Sequence, residues 1–104
     1  MKVQFNTDKN IQGTEKLESF FTEKINRDLD RFADKITRIE VYLSDQNADK
    51  GGKDDILCKL EARIEGMQPV LVAGKNSAKE KAIDDAINKM KAALTTIVGK
   101  MRNN

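Results

Sequence analysis

The sequence ILCKLEARIE, residues 56–65, decides the fold of this chain. Apolar side chains at the even positions alternate with charged side chains from residue 59 onward, and a period of two predicts a strand with one buried face. Gly66-Met67-Gln68-Pro69 then predicts a turn, and residues 70–73 supply the next strand. The two strands therefore form a predicted antiparallel hairpin.

Two more strands and a helix are predicted before this hairpin. Val3 and Phe5 alternate with polar residues as a short first strand, and residues 38–43 alternate in the same way. Between them, Thr14 is a plausible N-cap for a helix reaching about Phe32 or Ala33. Its apolar stripe changes direction midway, which predicts a bend or a one-residue bulge near residues 26–28. The stripe comprises Leu17, Phe20, Phe21, Ile25, Leu29 and Phe32.

A final helix follows the hairpin. Ser77 and Glu80 have the spacing of a capping box that opens it. One apolar face then recurs every three or four residues, as expected for a helix that covers a sheet. That face comprises Ile83, Ile87, Met90, Leu94, Ile97 and Met101.

The element order β-α-β-β-β-α predicts an α+β fold. Strands one and two flank a helix and should run parallel, while the other pairings should be antiparallel. Each strand has one apolar face, so both helices should pack on one face of a four-stranded mixed sheet, as in double-stranded-RNA-binding-like folds. Residues 1–104 form a single predicted domain, with a flexible loop over 44–55 and a frayed tail over 102–104.

The composition argues against an enzyme. The chain has no histidine, so Cys-His and Ser-His pairs are excluded, and the parity of Cys58 places its thiol in the core. The aspartates between residues 45 and 55 lack the spacing of a calcium loop. We therefore expect no catalytic residue, metal, cofactor or small-molecule substrate. No apolar run approaches the ~20 residues that cross a bilayer, so no membrane contact and a cytoplasmic location are expected.

Positive charge is concentrated near the end of the chain. Residues 75–104 hold 7 Lys or Arg against 3 Asp or Glu, whereas residues 1–74 hold 12 against 14. Such an excess favours a phosphate-bearing partner, although an ordinary amphipathic helix also carries lysines on both flanks. Candidate cations of this segment are Lys75, Lys79, Lys89, Lys91, Lys100 and Arg102, and those of the first helix are Lys24, Arg27 and Arg31.

The polar face of the predicted sheet is a weaker candidate for RNA binding. Tyr42 is the one aromatic residue among alternating charges, whereas a platform for single-stranded RNA needs two or three. Cross-strand ion pairs on a solvated surface are the expected role of these residues. RNA binding would therefore depend on charge rather than on base stacking.

Several segments resemble the short ribosome hibernation-promoting factors, also called the sigma-54 modulation protein family. They are VQFN at residues 3–6, the first helix from TEKL at residues 14–17, KITRIEVYL at residues 35–43, KLEA at residues 59–62 and AIDDAINKM at residues 82–90. The chain departs from the family pattern where Ala92, Ala93, Thr96 and Val98 replace residues that are usually basic.

The resemblance implies a translation inhibitor without enzymatic activity. Members of the family bind small-subunit ribosomal RNA in the channel for mRNA and tRNA, through basic residues of both helices. Transferred by position, the matching residues are Lys24, Lys89, Lys100 and Arg102, with Arg27 as a looser match. The alternative is a protein-interaction or regulatory module that has the same fold and does not bind RNA.

Overall fold

The computed structural model describes residues 1–8, 11, 14–45 and 56–102, and for residues 14, 101 and 102 it describes the backbone alone. The order of elements is strand, helix, three strands and helix, as predicted. The strands are β1 (Lys2–Thr7), β2 (Ile36–Asp45), β3 (Ile56–Ile64) and β4 (Val70–Asn76). The helices are α1 (Thr14–Asp28), which a single 3₁₀ turn at Asp30–Phe32 follows, and α2 (Lys79–Arg102).

The four strands form one sheet in the order β1-β2-β3-β4. β1 pairs with β2 in parallel, whereas the β2–β3 and β3–β4 pairings are antiparallel. α1 packs against β1, and α2 packs against β3 and β4. The predicted mixed sheet with both helices on one face is therefore confirmed, and within the described ranges no helix covers the opposite face of the sheet.

The first helix ends earlier than predicted. The α-helical hydrogen bonds continue to the bond from the Leu29 N–H to the Ile25 carbonyl, at 2.9 Å. The Phe32 N–H then bonds to the Leu29 carbonyl at 3.0 Å, so the chain tightens into a 3₁₀ turn. This change of geometry comes after residues 26–28, where the sequence predicts a bend or bulge, and the 3₁₀ turn brings both Leu29 and Phe32 into the core.

One predicted core residue of α1 is wrong. Phe21 is buried at 1% exposure, whereas its neighbour Phe20 is 59% exposed. Consecutive helical residues are rotated by about 100°, so the two rings cannot both face the sheet. The Phe20 ring instead meets Phe21 edge to face, with ring centroids 4.9 Å apart.

The start of α2 is fixed by the residue before the predicted cap. The Asn76 Oδ1 accepts a hydrogen bond from the Ala78 N–H at 3.2 Å, and the Ser77 hydroxyl donates to the same oxygen at 3.5 Å. The Ala82 N–H then bonds to the Ala78 carbonyl at 3.0 Å as the first turn closes. The Asn76 side chain therefore holds the turn that leads into α2, whereas the spacing of Ser77 and Glu80 predicts a Ser77 cap.

Gly74 allows α2 to lie against β4. This residue is a buried strand residue rather than a turn residue, because β4 extends beyond Ala73 to Asn76. A Cβ atom at Gly74 would lie 2.4 Å from the Ala82 carbonyl oxygen and 2.6 Å from the Ala86 nitrogen. Both atoms belong to the helix backbone, so only glycine permits this approach.

The core lies between the sheet and the two helices. It includes the inward side chains of β2 and β3, the stripe of α1 and the face of α2 as far as Leu94. Cys58 is fully buried in it, as predicted, and burial raises the pKa of its thiol from 9.0 to about 12. None of the helices in the described ranges is long and apolar enough to span a membrane.

The predicted loop over residues 44–55 begins too early. Ser44 and Asp45 are the last residues of β2, where they pair with Leu57 and Ile56 of β3. The Asp45 N–H also donates to the Asp8 carboxylate at 3.3 Å, which ties the end of β2 to the end of β1. The remaining loop residues, and the tail residues 103 and 104, lie outside the described residues.

Replacement of Gly74 with alanine should destabilise the protein. The new methyl group would meet helix backbone that has no rotamer to change, so α2 must move away from β4. We expect the free energy of unfolding to fall by roughly 3 kcal/mol, the upper part of the usual overpacking range. Urea denaturation followed by circular dichroism measures the change.

Gly99→Ala is the matched control. A Cβ at Gly99 meets nothing within 4 Å, and alanine is favoured over glycine in a helix. This variant should gain about 0.5–1 kcal/mol. Equal effects of the two substitutions would show that the close approach at Gly74 does not limit the packing.

The Cys58 thiol should resist modification in the folded protein. Its pKa of about 12 leaves almost no thiolate at pH 8, and the side chain is inaccessible. The folded-state pKa lies above the ordinary value of 9.0, so the folded protein holds the thiol in its neutral form. The stability that comes from burying this neutral thiol is complete below pH 9 and is lost as the pH rises towards 12. Ellman's reagent with and without urea tests the first expectation, and fast labelling without urea would contradict it.

Candidate nucleic-acid interface

The two helices meet along a seam that polar contacts cross. The Lys24 ammonium of α1 lies 2.8 Å from the Asp84 carboxylate of α2. Arg31, in the 3₁₀ turn, donates from a guanidinium nitrogen to the Thr95 hydroxyl of α2 at 3.1 Å. Residue numbers increase in the same direction along both helices from the first contact to the second, so the helices run side by side and roughly parallel.

A small cleft lies at the far end of this seam. The Arg31 guanidinium carbon stands 4.6 Å from the centre of the Phe32 ring. Together with Thr95, Val98 and Gly99 these two residues line a cleft of about 390 Å³. Arg31 is held by the ring and by the hydroxyl, and neither partner neutralises its charge.

Four of the candidate cations fall on or beside the seam. Lys91 is seven residues after Asp84 and four before Thr95, so it lies on the same side of α2 as both contact residues. Arg27 is exposed on α1 and follows Lys24 by three residues, which places it on the same side of that helix. We call Lys24, Arg27, Arg31 and Lys91 the seam cations.

The structure does not bring the other candidates to this seam. Lys89 leaves the opposite flank of α2, where its ammonium donates to the Ala73 carbonyl of β4 at 3.0 Å and lies 3.2 Å from the Asp85 carboxylate. Lys100 is exposed eleven residues later, close to three helical turns, on that same flank. Lys75 is exposed on β4, Lys79 is the first residue of α2, and the side chain of Arg102 lies outside the described residues.

Acidic partners on α2 were not identified from the sequence. On α2, Asp84 pairs with Lys24 and Asp85 pairs with Lys89. On α1, Arg27 lies 3.6 Å from the Asp28 carboxylate. The spacing of four residues between Asp85 and Lys89 is a signal that could have revealed one pair. The Lys24–Asp84 pair joins two helices that are distant in sequence, so no local pattern indicates it. Several candidate cations thus have a carboxylate neighbour in the absence of RNA.

The uncovered sheet face carries a network of ion pairs, as expected. Glu40 is 9% exposed, and its carboxylate lies 3.6 Å from guanidinium nitrogens of both Arg38 and Arg63. The Arg63 Nε also donates to Glu61 at 3.1 Å. Desolvation first, and then the negative charge of Glu40, raise the pKa of Tyr42 above its ordinary value.

The described residues also limit what chemistry the chain can perform. Across residues 1–8, 11, 14–45 and 56–102, no group of three or more acidic, histidine or cysteine side chains is placed to hold a metal ion. The pKa of the Cys58 thiol is raised rather than lowered, which is the opposite of what a nucleophile requires. The surviving candidate is a surface of fixed positive groups on two adjacent helices.

Comparison with known proteins now assigns the chain to a family. Residues 6–102 match the family described as Sigma 54 modulation protein / S30EA ribosomal protein, and the chain belongs to this family. It is thus a member of a ribosome-associated family of proteins that are not enzymes, and ribosome association places it in the cytoplasm. Comparison with curated proteins gives no significant match.

Solved structures show the same fold. A ribosomal subunit interface protein from Coxiella burnetii is 16% identical, with a TM-score of 0.70, and the match covers 95% of this chain and 99% of that one. The N-terminal domain of Thermus thermophilus Protein Y is 20% identical, with a TM-score of 0.74, and the match covers 93% and 99%. At these identities the likeness establishes the fold.

The Lys24–Asp84 pair should contribute little to stability. Both side chains are partly exposed, at 24% and 45%, so solvent screens their attraction. A double-mutant cycle of Lys24→Ala and Asp84→Ala should give a coupling free energy of about 0.2–1 kcal/mol. Chemical denaturation of the four proteins measures it. A coupling above about 2 kcal/mol would mean that the pair fastens α1 to α2 and that Lys24 is a structural residue.

Proposed function

We propose that this protein is a ribosome hibernation factor that binds small-subunit ribosomal RNA in the channel for mRNA and tRNA and inhibits translation. Family membership supports the ribosome as the partner. The observation that carries the proposal is the placement of basic side chains from both helices along one seam. The single predicted domain, residues 1–104, is the ribosome-binding unit in this proposal.

The seam cations suit recognition of a phosphate backbone. Arg31 is held in place by the neutral Thr95 hydroxyl before RNA arrives, which reduces the side-chain entropy lost on binding, whereas RNA must compete with Asp84 for Lys24. Arg31 retains donors that Thr95 does not use and can present them to phosphate oxygens. Lys91 lies between these two contacts along α2 and adds a third positive group. Such contacts recognise the position of the backbone rather than its base sequence.

The remaining candidates would form a second group on this proposal. Lys89 and Lys100 share the flank of α2 that faces away from α1, and Arg102 is at the end of the helix. RNA that reaches Lys89 must compete with Asp85 and with the Ala73 carbonyl. We therefore expect Lys89 to contribute less to affinity than Lys91, although the two residues are neighbours in sequence.

Carboxylates beside the cations favour one alternative function. Lys24, Lys89 and Arg27 each lie near an aspartate, so the helical surface has less free charge than the sequence suggests. A protein-interaction or regulatory module on the same fold would suit such a mixed surface. Binding to intact small subunits that persists unchanged at high salt would favour this alternative, because phosphate contacts weaken steeply with salt.

Lys24→Gln/Lys91→Gln should weaken binding to small ribosomal subunits. If each lysine contacts one phosphate, the slope of log affinity against log salt should fall by about 1.4–1.8 in magnitude. The affinity at about 0.1 M salt should fall roughly 10- to 100-fold. Co-sedimentation of the purified protein with small subunits over a salt series measures both quantities.

Lys16→Gln/Lys35→Gln provides the control for this experiment. Both lysines are exposed and lie outside the predicted binding set, and their removal changes the net charge by the same amount. The control should bind within about threefold of the unmodified protein, since it loses no phosphate contact. Equal losses of affinity for the two double variants would mean that net charge alone explains the effect. Failure of the unmodified protein to sediment with subunits at low salt would refute the proposed function itself.

A further inference from the structure

The uncovered face of the sheet places three cations side by side. In the register of the sheet, Lys2 of β1 pairs with Arg38 of β2, and Arg38 pairs with Arg63 of β3. These residues share the parity that points away from the helices, and we call them the cation row. Adjacent strands are about 4.8 Å apart, so the row brings three positive groups within about 10 Å.

Like charges in adjacent strands normally repel, and a buried carboxylate offsets the repulsion here. Glu40 lies in the next row of the same face, and both guanidinium groups of the cation row approach the same oxygen, Oε2, at 3.6 Å. The Glu61 carboxylate accepts a hydrogen bond from the Arg63 Nε at 3.1 Å. Two carboxylates therefore orient Arg63 and one lies beside Arg38, and guanidinium N–H groups outside these contacts remain able to donate. Lys2, an exposed residue at the edge strand, completes the row.

Further cations extend this face along the strands. Lys59 is exposed, with Tyr42 and Ala73 as its partners in the neighbouring strands. Lys75 is exposed at the position paired with Leu57. The rows from Arg63 to Leu57 span about 20 Å at 3.3–3.4 Å per residue. Five strand cations thus face solvent alongside two strand carboxylates, Glu40 and Glu61, which are both engaged with arginines.

Among the residues that the structure describes, two more carboxylates border this face. Glu65 is exposed in the turn after β3, and Asp8 follows β1, where its carboxylate accepts from the Asp45 N–H. Positive charge therefore prevails on the strands themselves and is reduced at the margins. The positive side chains on the strands form a diagonal band across the sheet, from Lys2 on β1 to Lys75 on β4.

We infer that the open sheet face is a second RNA-contact surface, on which the cation row and Lys59 bind the phosphate backbone of an RNA segment distinct from the one at the helix seam. The inference rests on the proposed function, because it assumes that the partner is ribosomal RNA. The two surfaces lie on opposite sides of the sheet, so one protein would be held between two RNA segments.

The composition of the face favours RNA over a protein partner. A protein interface usually has an apolar core inside a polar rim. Among the strand residues of this face the large apolar side chains are Leu71, 59% exposed, Tyr42, 39% exposed, and the half-buried Leu57, and the three lie in different rows. Fixed guanidinium groups and exposed lysines instead match phosphate oxygens. Base stacking should not contribute here, because Tyr42 alone cannot form the platform of two or three aromatic rings that single-stranded RNA requires.

Lys2→Gln/Lys59→Gln tests this surface without disturbing the arginine network. Both lysines are exposed, so the thermal midpoint should be unchanged. Affinity for small ribosomal subunits at about 0.1 M salt should fall roughly 10- to 100-fold, and the salt slope should fall by about 1.4–1.8. The same variant should also lose affinity for small-subunit RNA freed of protein, measured by fluorescence anisotropy.

The outcomes separate the inference from the proposed function. If the unmodified protein binds subunits and Lys2→Gln/Lys59→Gln binds within twofold of it, the sheet-face inference is overturned and the helix-seam proposal survives. Equal losses of affinity in Lys2→Gln/Lys59→Gln and in the control Lys16→Gln/Lys35→Gln would also overturn it, because the effect would then follow from net charge and not from a specific binding site. Loss of subunit binding with undiminished binding to protein-free RNA would overturn it in favour of a ribosomal protein as the occupant.

Discussion

The contact between Gly74 and α2 is the constraint on which the arrangement of this protein depends. Helix backbone lies where a Cβ of Gly74 would be, so α2 lies closer to β4 than any side chain would allow. This approach fixes both the height of α2 above the sheet and its rotation. The rotation in turn directs Asp84 and Thr95 towards α1 and Lys89 towards the edge of β4. The positions of the candidate cations on α2 thus depend on one missing methyl group.

Charge in this protein is organised by pairing as much as by excess. On the helical side, aspartates lie beside Lys24, Arg27 and Lys89, and on the sheet side two glutamates orient two arginines. A pair at a solvated surface contributes little to stability, but it holds a long side chain in one place. The sign and density of surface charge therefore give an incomplete picture of where a polyanion can bind. The charge that remains after pairing is the relevant quantity.

Much of the fold was predictable because period-two and helical patterns are local. The hairpin of β3 and β4 follows from the alternation after Ile56 and from the turn at Gly66, whose φ of 79° suits glycine. Phe20 was assigned wrongly because two adjacent aromatic residues both fit an apolar stripe, and only packing selects one. The role of Gly74 was also not predictable, since it depends on a helix that begins five residues later.

The candidate site was predictable in type but not in arrangement. A surplus of lysines towards the end of the chain indicates a polyanion, and helix spacing separates Lys89 from Lys91. The pairing of Lys24 with Asp84, and of Arg31 with Thr95, joins residues more than fifty positions apart. Such contacts depend on the relative placement of two helices, which no pattern within either helix determines. The Lys2–Arg38–Arg63 row likewise depends on sheet register.

The order of strands in the sheet has a consequence for how the molecule opens. Every strand is a neighbour of the next one along the chain, so no strand is inserted between two others after they have paired. β2 and β3 are bonded on both sides, whereas β1 and β4 each have one neighbouring strand, and α2 packs more extensively on β4 than α1 does on β1. Local opening should therefore begin at β1, the strand furthest from α2, and the slowest amide hydrogen exchange should come from β2 and β3. The parallel edge strand is thus the piece that can detach while the remaining strands and α2 stay folded.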